Sequence, residues 1–177
     1  MKSLVPETIE TERLMLRQLT IDDADAVARI IGDPEVMKFL GGKPQTQVWE
    51  IWRSLSATLG HWVLRGYGAY AVEVKATGKL AGRIGLLNPV GWPDLELAWT
   101  LDRGHWGKGY ATEAALAAGR AAVKHLKIDR LISLIHPDNV ASQRVAERLG
   151  AVREAMTDFF GADNPAFIYR HDLARFR

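Results

Sequence analysis

The 177-residue sequence predicts an α+β fold, with helices on both sides of one sheet and a single domain spanning residues 1–177. Three observations predict it. The hydrophobic period switches repeatedly between two residues and three to four, so strand-like and helix-like segments interleave. Their order, βαα, βββ, α, β, α, ββ, is that of a layered mixed architecture. No internal repeat, low-complexity tract or linker divides the chain, and its length suits one core.

Each element follows from local pattern. Leu14 and Leu16 alternate with Arg13, Met15 and Arg17, which reads as a first strand. Thr20 can cap a helix together with Asp23; Ala24, Val27 and Ile31 then share a face, and Gly32 ends it. A second helix begins near Thr46. Trp49, Trp52, Leu59 and Trp62 recur at helical spacing, which reads as core, and Gly66 stops the helix. Tyr70 to Val74 and Leu80 to Leu87 flank the turn Ala76-Thr77-Gly78-Lys79, a hairpin signal. Asn88-Pro89 and Trp92-Pro93 break structure, and Leu95 to Leu101 is a further strand.

The segment from Thr112 to Leu126 is alanine-rich. Ala111, Ala114, Ala115, Ala118 and Ala122 make one small-residue face that can press closely on a sheet. Arg130 to Ile135 reads as a buried strand and Asn139 to Leu149 as a helix ending at Gly150. Val152 to Phe160 and Phe167 to Leu173 read as a closing hairpin around Gly161-Ala162-Asp163-Asn164.

Composition removes several functional classes. The chain has no cysteine, which excludes disulfides, thiolate metal sites and a cysteine nucleophile. His61, His105, His125, His136 and His171 include no pair at the i, i+4 spacing of a zinc site, so no metal is expected. The formal charge of +2 suits a polyphosphate ligand but argues against nucleic acid, since no long Lys/Arg run exists. Met1 to Pro6 has no apolar core of a leader, and no apolar stretch is long enough to span a membrane. The expectation is a cytoplasmic protein.

The informative segment is Trp106-Gly107-Lys108-Gly109-Tyr110-Ala111-Thr112, between a strand and a helix. Glycines let such a turn form, and its free N–H groups at a helix start can hold a phosphate or pyrophosphate. Two well-known phosphate loops fail on spacing. A P-loop would need glycine at Asp102 and Ser or Thr at Gly109. A dinucleotide fingerprint would need a third glycine where Thr112 stands. Asp129 lies about 20 residues after Gly109, as an NAD-binding acid would. Too little chain follows for a doubly wound sheet, so a nicotinamide-binding domain is a weak alternative.

At this point the chain resembles the GNAT superfamily of N-acetyltransferases. Its pattern of strand, R/Q-x-x-G-x-G/A turn, helix, strand and Asn-led helix runs from about Arg13 to the C-terminus. Three stretches resemble the branch that includes bacterial ribosomal-protein N-terminal acetyltransferases: Thr11 to Arg17, His105 to Ala114, and Asn139 to Gly150. The resemblance implies a mixed, mostly antiparallel central sheet with helices on both faces, splayed at the acetyl-CoA site. It implies acetyl-CoA as cosubstrate and direct transfer to an amine, a protein N-terminus or a small amine such as an amino sugar or polyamine. A non-catalytic coenzyme A-binding module is a further alternative, and a homodimer stays open.

Residue by residue, the resemblance implies that Trp99, Thr100 and Leu101 offer backbone to pantetheine and to the acetyl carbonyl. Trp106, Gly107, Lys108, Gly109, Tyr110, Ala111 and Thr112 cradle the pyrophosphate. Trp106 departs from the Arg or Gln of the superfamily pattern, so backbone N–H groups rather than a guanidinium would do the holding. Glu96, in the apolar context Leu95-Glu96-Leu97-Ala98-Trp99, is the base candidate, mainly because the branch often carries Glu in this place; burial would raise its carboxyl pKa, and a surface-facing strand residue is the other reading. Asp94 is the reserve. Ala98-Trp99 replaces a Gly-Tyr pair typical of the branch, which alters the acceptor side. Many members place a tyrosine acid where this chain has Ala146. Some of the ribosomal branch use a serine three residues after the asparagine, which matches Ser142. Asn139 is an N-cap by its own chemistry and, by resemblance, a pantetheine contact. Arg144, Arg148 and Lys124 are candidates for the adenosine phosphates; solvated helix charges are the simpler reading of each. The resemblance also implies that one or two of Trp49, Trp52 and Trp62 border the acceptor groove.

Overall fold

The computed structural model describes residues 2–40 and 43–177. Its strands are β1 (Ile9–Glu10), β2 (Leu14–Arg17), β3 (Ala69–Val74), β4 (Lys79–Leu87), β5 (Glu96–Leu101), β6 (Ile132–Ile135), β7 (Ala151–Thr157) and β8 (Ala166–His171). The helices are α1 (Ala24–Gly32), α2 (Pro34–Met37), α3 (Val48–Arg65), α4 (Tyr110–His125) and α5 (Val140–Arg148). One sheet runs β1-β2-β3-β4-β5-β6-β8-β7, and only the β5–β6 pair is parallel. The α+β class and the mostly antiparallel sheet therefore hold.

Helices cover both faces. Val27, Ile30 and Ile31 of α1, Val36 and Met37 of α2 and Leu55 of α3 share one apolar cluster with Ala71 and Leu80 of the sheet. On the other side Ala114, Ala115, Ala118 and Ala122 of α4 are fully buried in a cluster with Ile84, Leu86 and Leu97. The small side chains bring the helix axis close to the sheet, as the alanine face requires.

Local chemistry sets the boundaries. Asp23 accepts from the backbone N–H of Thr20 at 2.8 Å, closing the expected capping box ahead of α1. Glu50 accepts from Thr46 and Gln47 N–H groups at 3.0 Å each, so α3 starts two residues later than Thr46. Two elements lie beyond the sequence reading: β1, two residues long, and α2, one turn led by Asp33 and Pro34. The hairpin strands are shorter than expected, because Asp158 to Pro165 forms the turn.

The tryptophans of α3 correct one expectation. Trp62 is buried, edge-on to Tyr70, and donates to the Ala69 carbonyl at 2.9 Å. Trp49 and Trp52 are 58% and 62% exposed. The buried arc of α3 runs through Ile51, Leu55, Thr58 and Trp62, and the other two indoles fall outside it. Trp49 lies under the Arg53 guanidinium at 4.9 Å instead.

β3 and β4 are held close at a glycine. A Cβ on Gly85 would sit 2.4 Å from the Gly68 carbonyl oxygen and 2.7 Å from Ala69 Cα, both backbone atoms that cannot swing away. Gly85→Ala should therefore destabilise the fold by about 1–3 kcal/mol. Urea unfolding read by circular dichroism checks this, and a variant as stable as wild type would contradict the close approach.

Candidate active site

Strands β5 and β6 pair at one residue couple, Glu96 with Ile132, and then diverge. Ile132 N–H donates to the Leu95 carbonyl at 2.9 Å, and the Ser133 hydroxyl donates to the Leu97 carbonyl at 2.5 Å; beyond Leu97 no strand pairs with this edge of β5. His171 Nε2 lies 2.9 Å from Ser133 Oγ. Burial lowers the His171 pKa to about 4, so the ring is neutral and donates Nε2–H to that oxygen. The divergence opens a cleft of about 1030 Å³.

Ladder alternation decides which backbone groups face the cleft. Asp102 N–H donates to the Ala81 carbonyl, so Thr100, Ala98 and Glu96 spend their backbone groups on β4. Leu97, Trp99 and Leu101 turn theirs the other way. The Leu101 carbonyl accepts from the Trp106 indole N–H at 2.9 Å. That leaves the N–H and C=O of Trp99 and the N–H of Leu101 facing the opening. Thr100 borders the cleft, but its backbone groups are turned to β4, against the expected backbone contact.

Glu96 lies at the root of the divergence and is 6% exposed. One carboxylate oxygen accepts from the Trp92 indole N–H at 2.7 Å and the other from the Leu134 backbone N–H at 3.2 Å. Burial outweighs both bonds and pushes its pKa up from 4.5 to about 7. Asp94, the reserve candidate, is 2.9 Å from Arg130 and accepts from Leu95 N–H at 2.7 Å. It is held just ahead of β5, where Arg130 links it to a network with Glu154 and Arg170, and it does not line the cleft.

Trp106 to Thr112 line the opposite end of the cleft. Gly107 and Gly109 adopt φ of 74° and 80°, which glycine takes without strain and other residues avoid. α4 starts directly after Gly109, so the loop and the helix N-terminus present N–H groups to one region. Open space around Gly107 and an exposed Lys108 fit a pyrophosphate.

Glu113, in the first turn of α4, braces this loop. It accepts from the Thr11 hydroxyl at 2.6 Å and the Arg13 backbone N–H at 2.9 Å, and pairs with the Arg13 guanidinium at 2.6 Å. Arg13 also donates to the Lys108 carbonyl at 2.9 Å. Sequence reasoning missed Arg13 and Glu113 as a unit, although both lie inside the motifs it singled out.

Across the gap, α5 opens with Asn139, whose side-chain oxygen accepts from Ser142 N–H at 3.1 Å. The N-cap duty leaves its amide NH₂ free to act as a donor. Ser142 Oγ accepts from the Trp99 indole N–H at 3.2 Å, which leaves its own O–H available as a donor, and the residue lines the cleft. Ala146 is fully buried, one turn farther along. Phe39, after α2, stacks on His136, after β6, at 5.2 Å, so an aromatic strap joins the two sides. Of the candidate phosphate contacts, Arg144 and Arg148 border the cleft and Lys124 does not. Trp49, Trp52 and Trp62 do not line it either; Trp92, Trp99 and Trp106 do.

A family model described as an acetyltransferase (GNAT) domain matches residues 13–152. The chain belongs to the GNAT acetyltransferase family. A GNAT enzyme of this kind is an N-acetyltransferase, and so an acyltransferase. Among similar proteins, an uncharacterized N-acetyltransferase p20 of Bacillus licheniformis is 30% identical and covers 85% of each chain. An acetyltransferase of Agrobacterium tumefaciens has a solved structure that superposes with a TM-score of 0.83 at 33% identity, over 95% of each chain. A spermidine N-acetyltransferase from Vibrio cholerae, solved with CoA and spermine, shares the fold with a TM-score of 0.76 at 18% identity, covering 94% of this chain and 99% of its own. Acetyl-CoA is the acyl donor of the family. Among the described residues of this GNAT chain no helix is long and apolar enough to cross a membrane, and no cluster of three His, Asp or Glu side chains could hold a metal.

Two predictions follow from this geometry. Gly109→Val forces a β-branched residue to φ 80° and brings its Cβ within 3.3 Å of Arg13 Nη2. Acetyl-CoA affinity should fall by at least about tenfold, given phosphate binding through backbone N–H groups; calorimetry reads it, and unchanged affinity would remove the loop from the site. The second concerns Glu96. Its folded pKa near 7 exceeds its ordinary 4.5, so stability is fully present below about 4.5 and is lost as pH rises through 7. Glu96→Gln removes that loss. Urea unfolding should show the variant gaining on wild type by up to about 3 kcal/mol at pH 8 and by much less at pH 5.

Proposed function

We propose that the protein is an acetyl-CoA-dependent N-acetyltransferase that passes acetyl directly to a primary amine within a ternary complex. The observation that carries this reading is Glu96: a buried carboxyl at the root of the β5–β6 divergence, titrating near neutral pH. An ammonium group cannot attack a thioester, and a base with a pKa near the working pH is the efficient way to deprotonate it.

In this reading the glycine loop and the α4 N-terminus hold the pyrophosphate, and the Asn139 amide and the Trp99 backbone hold pantetheine. The N–H groups of Trp99 and Leu101 are the available donors for the charge that develops on the acetyl oxygen. Glu96 takes the amine proton, and Ser142 donates to the departing thiolate. The positive end of α5 assists, because Ser142 lies in its first turn. Ser142, held by the Trp99 indole and lining the cleft, supports reading the missing tyrosine acid as replaced rather than as the mark of a silent binding module.

The acceptor is a protein N-terminus or a small amine. The motifs from Thr11, His105 and Asn139 resemble the ribosomal-protein branch, which favours the former. The spermidine enzyme shares the fold alone. Action in the cytoplasm, on acetyl-CoA there, belongs to the same proposal.

Steady-state kinetics test the roles. Glu96→Gln should lower transfer by roughly 10²–10⁴-fold with acetyl-CoA affinity unchanged, and the rate should recover partly at high pH. In the wild type the rate should rise as pH increases through about 7, where Glu96 loses its proton. Ser142→Ala should cost about 10–10²-fold and keep that low-pH limb. A pH profile identical in wild type and Glu96→Gln would exclude Glu96 as the base.

A further inference from the structure

The cleft continues past Glu96 to an end unlike the glycine loop. There it is lined by Phe39, Leu40, Leu87, Trp92, Phe160 and Pro165. The rings come from three separate stretches: the segment after α2, the β4–β5 connection and the β7–β8 turn. Trp92 meets Phe159 at 5.0 Å and Phe160 at 5.5 Å, and the two phenylalanines meet at 5.1 Å, all edge to face. Phe159 and Phe160 nevertheless remain 38% and 43% exposed. A cluster of large rings left in water at the mouth of a cleft marks a binding surface more than a core.

Charge narrows the ligand further. Among the described residues of the lining, Glu35 and Glu96 are the only carboxylates. Asp94, the next acid in the β4–β5 connection, is spent on Arg130 at 2.9 Å. Lys38 lines this end as well. A polyamine would find too few anions for its charges, and an amino sugar would find few groups besides Asn164 and His136 among these rings to bond its several hydroxyls. Trp92 meanwhile touches both parts of the site: its ring joins the aromatic wall, and its N–H holds Glu96 Oε2 at 2.7 Å. A group stacked on this wall brings an amine a few bonds away to the base.

Building on the acetyl-transfer reading above, we propose that the acceptor is a primary amine bearing one aromatic or bulky apolar group, which the Trp92–Phe160 wall receives. In the reaction the nitrogen–carbonyl bond forms as the carbon–sulfur bond breaks. The amine proton passes to Glu96, the thiolate gains a proton, and the products are an amide and free coenzyme A. The same chemistry is offered by a free arylalkylamine and by a polypeptide whose first residue is aromatic.

Thiol release from acetyl-CoA tests this with phenethylamine, ethylamine, spermidine, glucosamine and two peptides identical except for Phe or Ser at the N-terminus. Burying a ring should favour phenethylamine over spermidine and glucosamine by about 10–100-fold in kcat/KM. The Phe peptide should likewise exceed the Ser peptide. Whichever of phenethylamine and the Phe peptide is preferred identifies the source. In Phe160→Ala the ratio of phenethylamine to ethylamine kcat/KM should fall about tenfold. Equal or better use of spermidine or glucosamine overturns the proposal, as does an unchanged ratio in Phe160→Ala. No thiol release with any amine, from a protein that calorimetry shows to bind acetyl-CoA, overturns the transfer reading itself.

Discussion

Everything in this protein's site depends on two strands that start together and do not stay together. The parallel contact of β5 and β6 is limited to Glu96 and Ile132, with a last stitch from the Ser133 hydroxyl to Leu97. Past that stitch the Trp99 indole and the first turn of α5 occupy the place of a further ladder rung. The divergence leaves main-chain groups of Trp99 and Leu101 without a strand, which would be costly if nothing were to bind there. It also puts a carboxyl at the narrow end, where two hydrogen bonds hold it and burial keeps it partly protonated.

A second constraint joins two stretches of chain, Thr11 to Arg13 and Lys108 to Glu113, that are far apart in sequence. Thr11 and Arg13 belong to one motif, Lys108 and Glu113 to another, and the structure joins them in one cluster. The turn between β1 and β2 therefore acts as a brace for the glycine loop. Arg13 also offsets the Glu113 carboxylate, which would otherwise oppose an anion at the α4 N-terminus; its pKa is lowered by hydrogen bonds and charge from Thr11 and Arg13 despite its burial.

Much of this was legible in the sequence, for identifiable reasons. Period-two alternation found β2, the hairpin signal found β3 and β4, the breakers ahead of Leu95 marked off β5, alanine periodicity found α4, and Asn139 followed by a helical run found α5. Glu96 was legible because an acid between apolar neighbours implies either a surface strand or a buried base, and its two anchors could not be seen from spacing. β1 and α2 are too short to carry a period. Trp49 and Trp52 misled because helical recurrence gives a stripe, and which part of the stripe meets the sheet depends on the helix's tertiary rotation. Thr100 misled because only the ladder's alternation, anchored at Asp102 and Ala81, says which side a backbone group faces. The partnership of Trp106 with Leu101 had no sequence signal at all.

The placement of the tryptophans has an optical consequence. The protein has six indoles, and Trp92, Trp99 and Trp106 line the cleft. Trp62 is sealed in the core, while Trp49 and Trp52 face solvent on α3. The cleft trio donates in turn to Glu96, to Ser142 and to the end of β5. Half of the chain's indoles thus sit along the cleft from the glycine loop to its aromatic end, each reporting a different stretch of it. Filling one end of the cleft and then the other should register as separate spectral steps, so the order in which the two substrates arrive is written into the protein's own emission.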